Sequence, residues 1–319
     1  MFFLPFLTTI QTHYHSKNKV IVYFITYIIP EFLIVFLQNY PQGVADWEFY
    51  LVFVLSFISF VNLYETGYIY NETETIKKEK DPTKRLTNEQ LAFYERHKYL
   101  IYSERLLLSF ILNFCLSFFI SCKSLILFSL EECLCMAVFF LYNSVRGGRI
   151  TQFIYLFLSI LKYSALVFCF SERINFSVIL ACIFVFPLVR TLEYKAHYGE
   201  ESNVNRFFRK YVIKYDIQKI PVFRVWATLI LLVISVALMY FGMCNILPVI
   251  LCAYMFIYRF LLWLAVKMGA NFKGYLKRWM GLKDISLFFL FFWVLQSAVQ
   301  KNLRLLLFQI HKAMLITDF

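Results

Sequence analysis

Glycine and proline are scarce, 9 and 7 among 319 residues. That excludes long disordered linkers and low-complexity tracts, which are rich in both. Charge is scarce too. Charged side chains are 16% of the chain, against about 25% in an ordinary soluble domain. Acidic residues are the rarer sign, 20 against 32 Lys and Arg, giving a net charge of +12. Of five histidines, His13 and His15 alone stand close together, and no third ligand accompanies them, so no metal site is expected there. The eight cysteines lack the paired spacing of a zinc site, since Cys133 and Cys135 form a lone CxC. Cys115, Cys133, Cys135, Cys169, Cys182 and Cys252 lie in apolar runs and read as small buried hydrophobes. The N-terminal MFFLPFLTTIQTHYHSKNK has neither a basic leader nor a cleavage site and is expected to be retained.

What remains is apolar. Hydrophobic residues make up 61% of the chain, aromatics 20%, and Phe occurs 38 times. One soluble core cannot bury that much, so lipid must cover part of it. Runs near the ~20 residues needed to cross a bilayer recur throughout. They lie at 20–38, 47–69, 103–121, 124–142, 150–170, 174–191, 223–241, 244–266 and 284–300. The expected fold class is an all-α integral membrane protein, a bundle of about nine transmembrane helices in one domain spanning 1–319. It is expected to be multi-pass in an inner or plasma membrane.

Basic residues fall on one side. Loops 70–102, 143–149, 190–222 and 267–283 hold 21 Lys and Arg, whereas the short loops opposite hold Lys123 and Arg173. The positive-inside rule makes the long loops and the N-terminus cytoplasmic. An odd number of crossings puts the C-terminus outside, against which the mildly basic tail (Lys301, Arg304, Lys312) argues; that tail alternatively lies along the interface as an amphipathic helix. Basic residues between apolar runs favour membrane lipids and phosphorylated substrates as partners over nucleic acid.

Two loops carry the chemistry. The first reads YIYNETETIKKEKDPTKRL over 68–86. If the second helix continues into it, Asn71, Glu74 and Lys78 share one face, with Glu79 beside them. Carboxylates grouped so can hold Mg²⁺ together with substrate phosphate oxygens, and Lys84 and Arg85 can grip phosphate. The second reads RTLEYKAHYGEESNVNRFFRKY over 190–211, where Arg190, Glu193, Lys195, Glu200 and Glu201 repeat the mixture. The bland alternative is two solvated, mixed-charge loops.

Together these features resemble the UbiA superfamily of intramembrane prenyltransferases. Its members have nine helices, an NDxxDxxxD-type motif after the second and another acidic motif after the sixth. NETETIKKE (71–79) and RTLEYKAHYGEES (190–202) stand at those places, and LYNSVRGGR (141–149) is similar to a segment after the fourth helix. Glu72 occupies a position usually held by Asp. Counting from Asn71 puts Thr75 at the next Asp position, whereas counting back from Pro82 puts Glu74 there and Lys78 at the last. DPTKRL (81–86) looks most like the branch that makes polyprenyl-phosphate phosphoribose.

The resemblance implies a Mg²⁺-dependent transferase acting on a polyisoprenoid lipid and a diphosphate-containing substrate. Phosphoribose would pass from phosphoribosyl diphosphate to a polyprenyl phosphate. The commoner family reaction instead moves a prenyl group from prenyl diphosphate to an aromatic or isoprenoid acceptor. Catalytic residues would be Asn71, Glu72, Glu74, Glu79 and Glu193. Phosphate would meet Lys84, Arg85, Arg146, Arg149, Arg190 and Lys195. Metal would fall to Asn71, Glu72, Glu74, Glu79, Asp81, Glu193 and Glu200. Loops 70–102 and 192–222 would cap the site, with Tyr68, Tyr70, Tyr142 and Tyr194 offering ring faces to a cationic intermediate.

Other polar residues lie at membrane depth, where charge is costly and usually partnered. Glu131 and Glu132 in the fourth span read as a pair for Lys162 in the fifth, or as a polar patch on a substrate or ion path. Glu31 follows Pro30 and reads as a kink, and Arg259 is expected to snorkel. These charges also support a rival of another class, a non-catalytic transporter or lipid-binding protein, which predicts inverted repeats and broken helices.

Overall fold

The computed structural model describes residues 1–14, 16–39, 46–78, 84–145, 150–172, 174–193, 206–212, 214 and 219–267. Among the described residues the protein is all helical, with no strand. Seven helices are long and apolar enough to cross a membrane. A short α1, Leu7–Thr12, precedes them. The seven are α2 (Lys19–Asn39), α3 (Trp47–Thr73), α4 (Asn88–Leu116), α5 (Cys122–Ser144), α6 (Thr151–Phe170), α9 (Ile220–Tyr240) and α10 (Leu247–Lys267). The expected sixth crossing is two pieces, α7 (Phe176–Phe184) and α8 (Pro187–Leu192). The expected ninth, 284–300, lies outside the described residues, as does the basic tail. α3 packs on α4 and α5, α9 on α10, and α10 on α7.

Local chemistry sets these boundaries. Asp46, Ser121 and Asn175 each accept a hydrogen bond from the backbone N–H three residues on, and Thr87 forms a reciprocal capping box with Gln90. The α7–α8 break falls at Phe186 (φ −151°, ψ −46°), immediately before Pro187. A residue preceding proline is pushed out of helical conformation, and proline supplies no N–H to continue the ladder.

In α2, Pro30 leaves the Thr26 carbonyl without its helical donor. The chain answers with a π-helical turn, Phe24–Ile28. Two hydroxyls from neighbouring helices take the freed carbonyls: Tyr163 donates to Thr26 O at 2.5 Å and Tyr254 to Ile25 O at 2.7 Å.

Loop 70–102 proves to be mostly helix. α3 ends at Thr73, a 3₁₀ turn covers Thr75–Lys78, and α4 begins at Asn88. At 29 residues α4 is about 43 Å long, longer than the ~30 Å hydrocarbon layer. The outward side chains of α4, such as Leu107, Phe110 and Phe114, are exposed and suit contact with lipid.

Several polar groups inside the bundle are paired, but not as the sequence implied. Glu132 accepts from Ser59 (2.7 Å) and Asn113 (2.8 Å), and Glu131 from Ser164 (2.9 Å). No Glu–Lys ion pair joins α5 and α6 among the described residues. Lys162 points the other way, 3.7 Å above the Tyr27 ring and within electrostatic reach of buried Glu31. The N-terminal segment is pinned by Arg105, whose guanidinium binds Glu65 (3.0 Å), Asn62 (2.9 Å) and the carbonyls of Phe2 (2.9 Å) and Leu4 (3.1 Å). All eight cysteines are free, but only Cys135, Cys169, Cys182 and Cys252 are buried; Cys133 is exposed and Cys115 half-buried, because apolar runs here also face lipid.

Candidate functional site

Chain direction alternates from helix to helix, so the ends of α3 and α8 and the starts of α2 and α9 share one end of the bundle. Two clusters gather there. At the end of α3, Glu72 is buried and accepts from Asn71 Nδ2 (3.1 Å) and from Arg85. His13, just past α1, brings Nε2 to 3.6 Å from the same carboxylate and packs its ring, tilted, 4.5 Å from Tyr68.

Glu74 does not join them. Residues two apart on a helix lie on nearly opposite faces, and α3 ends between them. Glu74 turns away to accept from Tyr94 O–H (3.0 Å) and Lys77 Nζ (2.9 Å). Asn71 and Glu74, expected on one face with Lys78, thus bond different partners. Lys84 is exposed. Tyr70 packs edge-on against Phe140, away from Tyr68 and His13.

The second cluster centres on Glu193, just beyond α8. Arg224 of α9 reaches it with a two-pronged grip, Nε to Oε2 and Nη2 to Oε1, both 2.7 Å, and Arg190 Nη1 adds a third bond at 2.6 Å. Burial alone pushes the Glu193 carboxyl up. The hydrogen bonds and charges of Arg224 and Arg190 outweigh that and hold it below the usual carboxylate range. Arg190 also bonds the Tyr155 hydroxyl of α6. Arg259 of α10 does not snorkel to solvent. It is 6% exposed, its Nε has no hydrogen-bond partner among the described residues, and it lies within electrostatic reach of Arg224 and Glu193.

Aromatic rings bridge the clusters. Tyr68 contacts Tyr64 (5.4 Å), Tyr64 contacts Phe139 (4.7 Å), and Tyr142 contacts Tyr155 (5.9 Å). From α2, Tyr23 packs between Tyr14 (4.8 Å) and Tyr27 (5.2 Å). Lys162 sits among these rings, 3.7 Å from Tyr27, 4.9 Å from Tyr64 and 5.5 Å from Tyr23. Tyr64, Tyr68, Tyr155 and Lys162 are half-buried.

The described donors do not fit Mg²⁺. Glu72 and Glu193 each face guanidinium, which has no lone pair to offer and repels a second cation. No group of three His, Cys, Asp or Glu able to hold a metal occurs among the described residues. Glu79, Asp81, Arg146, Arg149, Tyr194, Lys195 and Glu200 lie outside the described residues. Sequence patterning singles out His13 only as half of a lone HxH pair and does not single out Arg224. A signal for Arg224 existed, a lone cation four residues into the apolar run IPVFR (220–224) at the basic end.

No family model, curated protein or solved structure matches this chain.

Proposed function

We propose that this protein is a membrane-embedded transferase of UbiA-like construction, moving phosphoribose from phosphoribosyl diphosphate to a polyprenyl phosphate. The observation that carries the reading is a pair of guanidinium clusters, Arg85 with Glu72 and Arg190 with Arg224, at one end of the bundle with a tyrosine-lined interior between them. Two phosphate-bearing substrates call for two cationic stations. A prenyl transfer to an aromatic acceptor calls for one.

In the reaction a lipid phosphate oxygen supplies the electron pair for a new bond to the ribose anomeric carbon. The bond from that carbon to diphosphate breaks, and diphosphate leaves with its electrons. Positive charge on the ribose in transit is matched by ring faces of the Tyr64 and Tyr68 kind. The lipid tail lies between helices, and the interior keeps water from the reacting carbon. No step is assigned to Mg²⁺.

Membranes containing the protein, given polyprenyl phosphate and labelled phosphoribosyl diphosphate with or without Mg²⁺, should yield a labelled lipid. Labelled product only from prenyl diphosphate and an acceptor would replace this reading with the sister activity.

One observation favours a transporter instead. The α7–α8 crossing is broken, and Glu31 and Lys162 lie at membrane depth beside a π-helical turn. Substrate flux into sealed vesicles without any covalent product would select that reading.

A further inference from the structure

We propose that Arg190, Arg224 and Arg259 form a clamp that holds a phosphoryl group by guanidinium alone, without a bridging metal ion. The inference rests on the transferase reading and names how one of its substrates is held. It also turns the poor fit to Mg²⁺ into a positive statement about the site.

Arg190 and Arg224 meet on one carboxylate, and Arg259 lies within electrostatic reach of Arg224 and that carboxylate. Arg190 comes from α8, Arg224 from α9 and Arg259 from α10. One carboxylate, Glu193, stands among them, 1% exposed and bonded to the first two at 2.6–2.7 Å. Among the described residues three cations face one anion; Arg190 and Arg224 are partly exposed, whereas Arg259 is buried. A buried, unpaired cation is strongly unfavourable, so Arg259 calls for an anion. A phosphoryl group supplies one.

Arg259 gives the second, independent sign. It is 6% exposed and stacks 5.8 Å from the Phe186 ring, yet its Nε finds no hydrogen-bond acceptor among the described residues. A buried donor with no acceptor is the mark of a missing partner. The Phe186 ring that supports it sits at the α7–α8 break, so the kink before Pro187 helps build the clamp. Glu193 is a positioning residue. It occupies both prongs of Arg224 and one of Arg190, which orients their remaining N–H groups.

The ligand chemistry is a terminal phosphoryl group, from either of two sources. One is the headgroup of a lipid phosphate, the other a water-soluble phosphate or diphosphate. Binding of inorganic pyrophosphate, inorganic phosphate and a polyprenyl monophosphate to the intact detergent-solubilised protein, by calorimetry in excess EDTA, separates them. The clamp predicts binding of at least one probe, with an affinity that EDTA and added Mg²⁺ change less than twofold. Preference for the polyprenyl probe assigns the lipid headgroup, and preference for pyrophosphate the soluble substrate.

Arg259→Gln removes the charge and should weaken binding about tenfold or more, as expected for lost charge-assisted hydrogen bonds. Arg259→Lys keeps the charge and fold but loses the forked donor, and should weaken binding to a lesser degree. Three results would overturn the clamp: binding lost in EDTA and restored by Mg²⁺, no binding of any probe, or wild-type affinity in Arg259→Lys and Arg259→Gln alike. The wild-type EDTA comparison stands even if a variant fails to fold. EDTA-resistant, Arg259-dependent binding without transfer product would retain the clamp and remove the transferase. Transfer with EDTA-sensitive binding would do the reverse.

Discussion

Replacing Arg105 by Met should destabilise the protein by about 3–5 kcal/mol, the range for breaking one partner out of a buried ion pair. The guanidinium and the Glu65 carboxylate are both fully buried, 3.0 Å apart. Arg105→Met keeps the apolar stem but leaves Glu65 only the backbone N–H of Thr9, at 2.8 Å. It also strips the Phe2 and Leu4 carbonyls of their donors at 2.9 and 3.1 Å. Hydrogen bonds to charged groups contribute about 1.5–3 kcal/mol each, so the carboxylate contact and one carbonyl already account for the lower end. Glu65→Leu should cost a similar amount. The double variant Glu65→Leu/Arg105→Met should recover most of the loss, because no unpaired charge remains. Unfolding in mixed micelles with rising SDS, followed by circular dichroism, measures all three. Protease cleavage within residues 1–13 should quicken in Arg105→Met, since the segment loses its two anchors. A single-variant loss below about 1 kcal/mol, or strictly additive losses in the double variant, would refute the account.

Three other outcomes are expected. Gly67→Ala places a Cβ 2.2 Å from the Phe139 ring, so α3 and α5 must separate at a cost of about 1–3 kcal/mol, and Phe139→Leu should relieve it; a Gly67→Ala melting temperature equal to wild type would count against that close approach. Lys162→Leu leaves Glu31 buried without the cation now in electrostatic reach, so it should lower stability, with Glu31→Gln restoring much of it in the same micelle assay. Two independent, non-compensating effects would mean the pair is not coupled. For His13, burial, with Arg85, Lys162 and Lys19 nearby, lowers the imidazole from 6.5 to about 4, and the Glu72 carboxylate at 3.6 Å does not reverse this because Arg85 already engages it. The unfolded chain gains a proton near pH 6.5 that the fold refuses until about 4, so stability should decline as pH falls through that window. His13→Asn should flatten the dependence of melting temperature on pH there, and an unchanged slope would show that other groups set it.

Helix existence was legible because apolar length is a strong signal. Helix continuity was not. The run 174–191 reads as one crossing by hydropathy, yet Pro187 interrupts the backbone ladder without making the segment less apolar. Hydropathy is blind to hydrogen-bond supply. The opposite error occurred at 88–102, where Glu89, Glu95, Arg96 and Lys98 made a helix look like a loop. Its Thr87–Gln90 capping box was present in the sequence and marks the start of α4. Local capping chemistry sets that boundary, and charge hides it.

Basic loops after the second and sixth spans draw attention to Glu72 and Arg85, which pair, and to Arg190 and Glu193, which pair separately. What a sequence cannot show is which partner claims each carboxylate. Glu193 and Arg190 are three residues apart, but the two-pronged grip comes from Arg224, thirty-one residues along and on another helix. Glu72 is likewise held by Arg85 across a turn, thirteen residues away. Carboxylates counted from a motif look free to bind a cation; among the described residues Glu72 and Glu193 each hold an arginine, and Glu74 holds Lys77. The acidic motif and the basic residues beside it are thus a single electrostatic device. In the proposed clamp the carboxylates act as anchors and the groups facing a ligand are cationic, so the anion they select is the quantity to measure first.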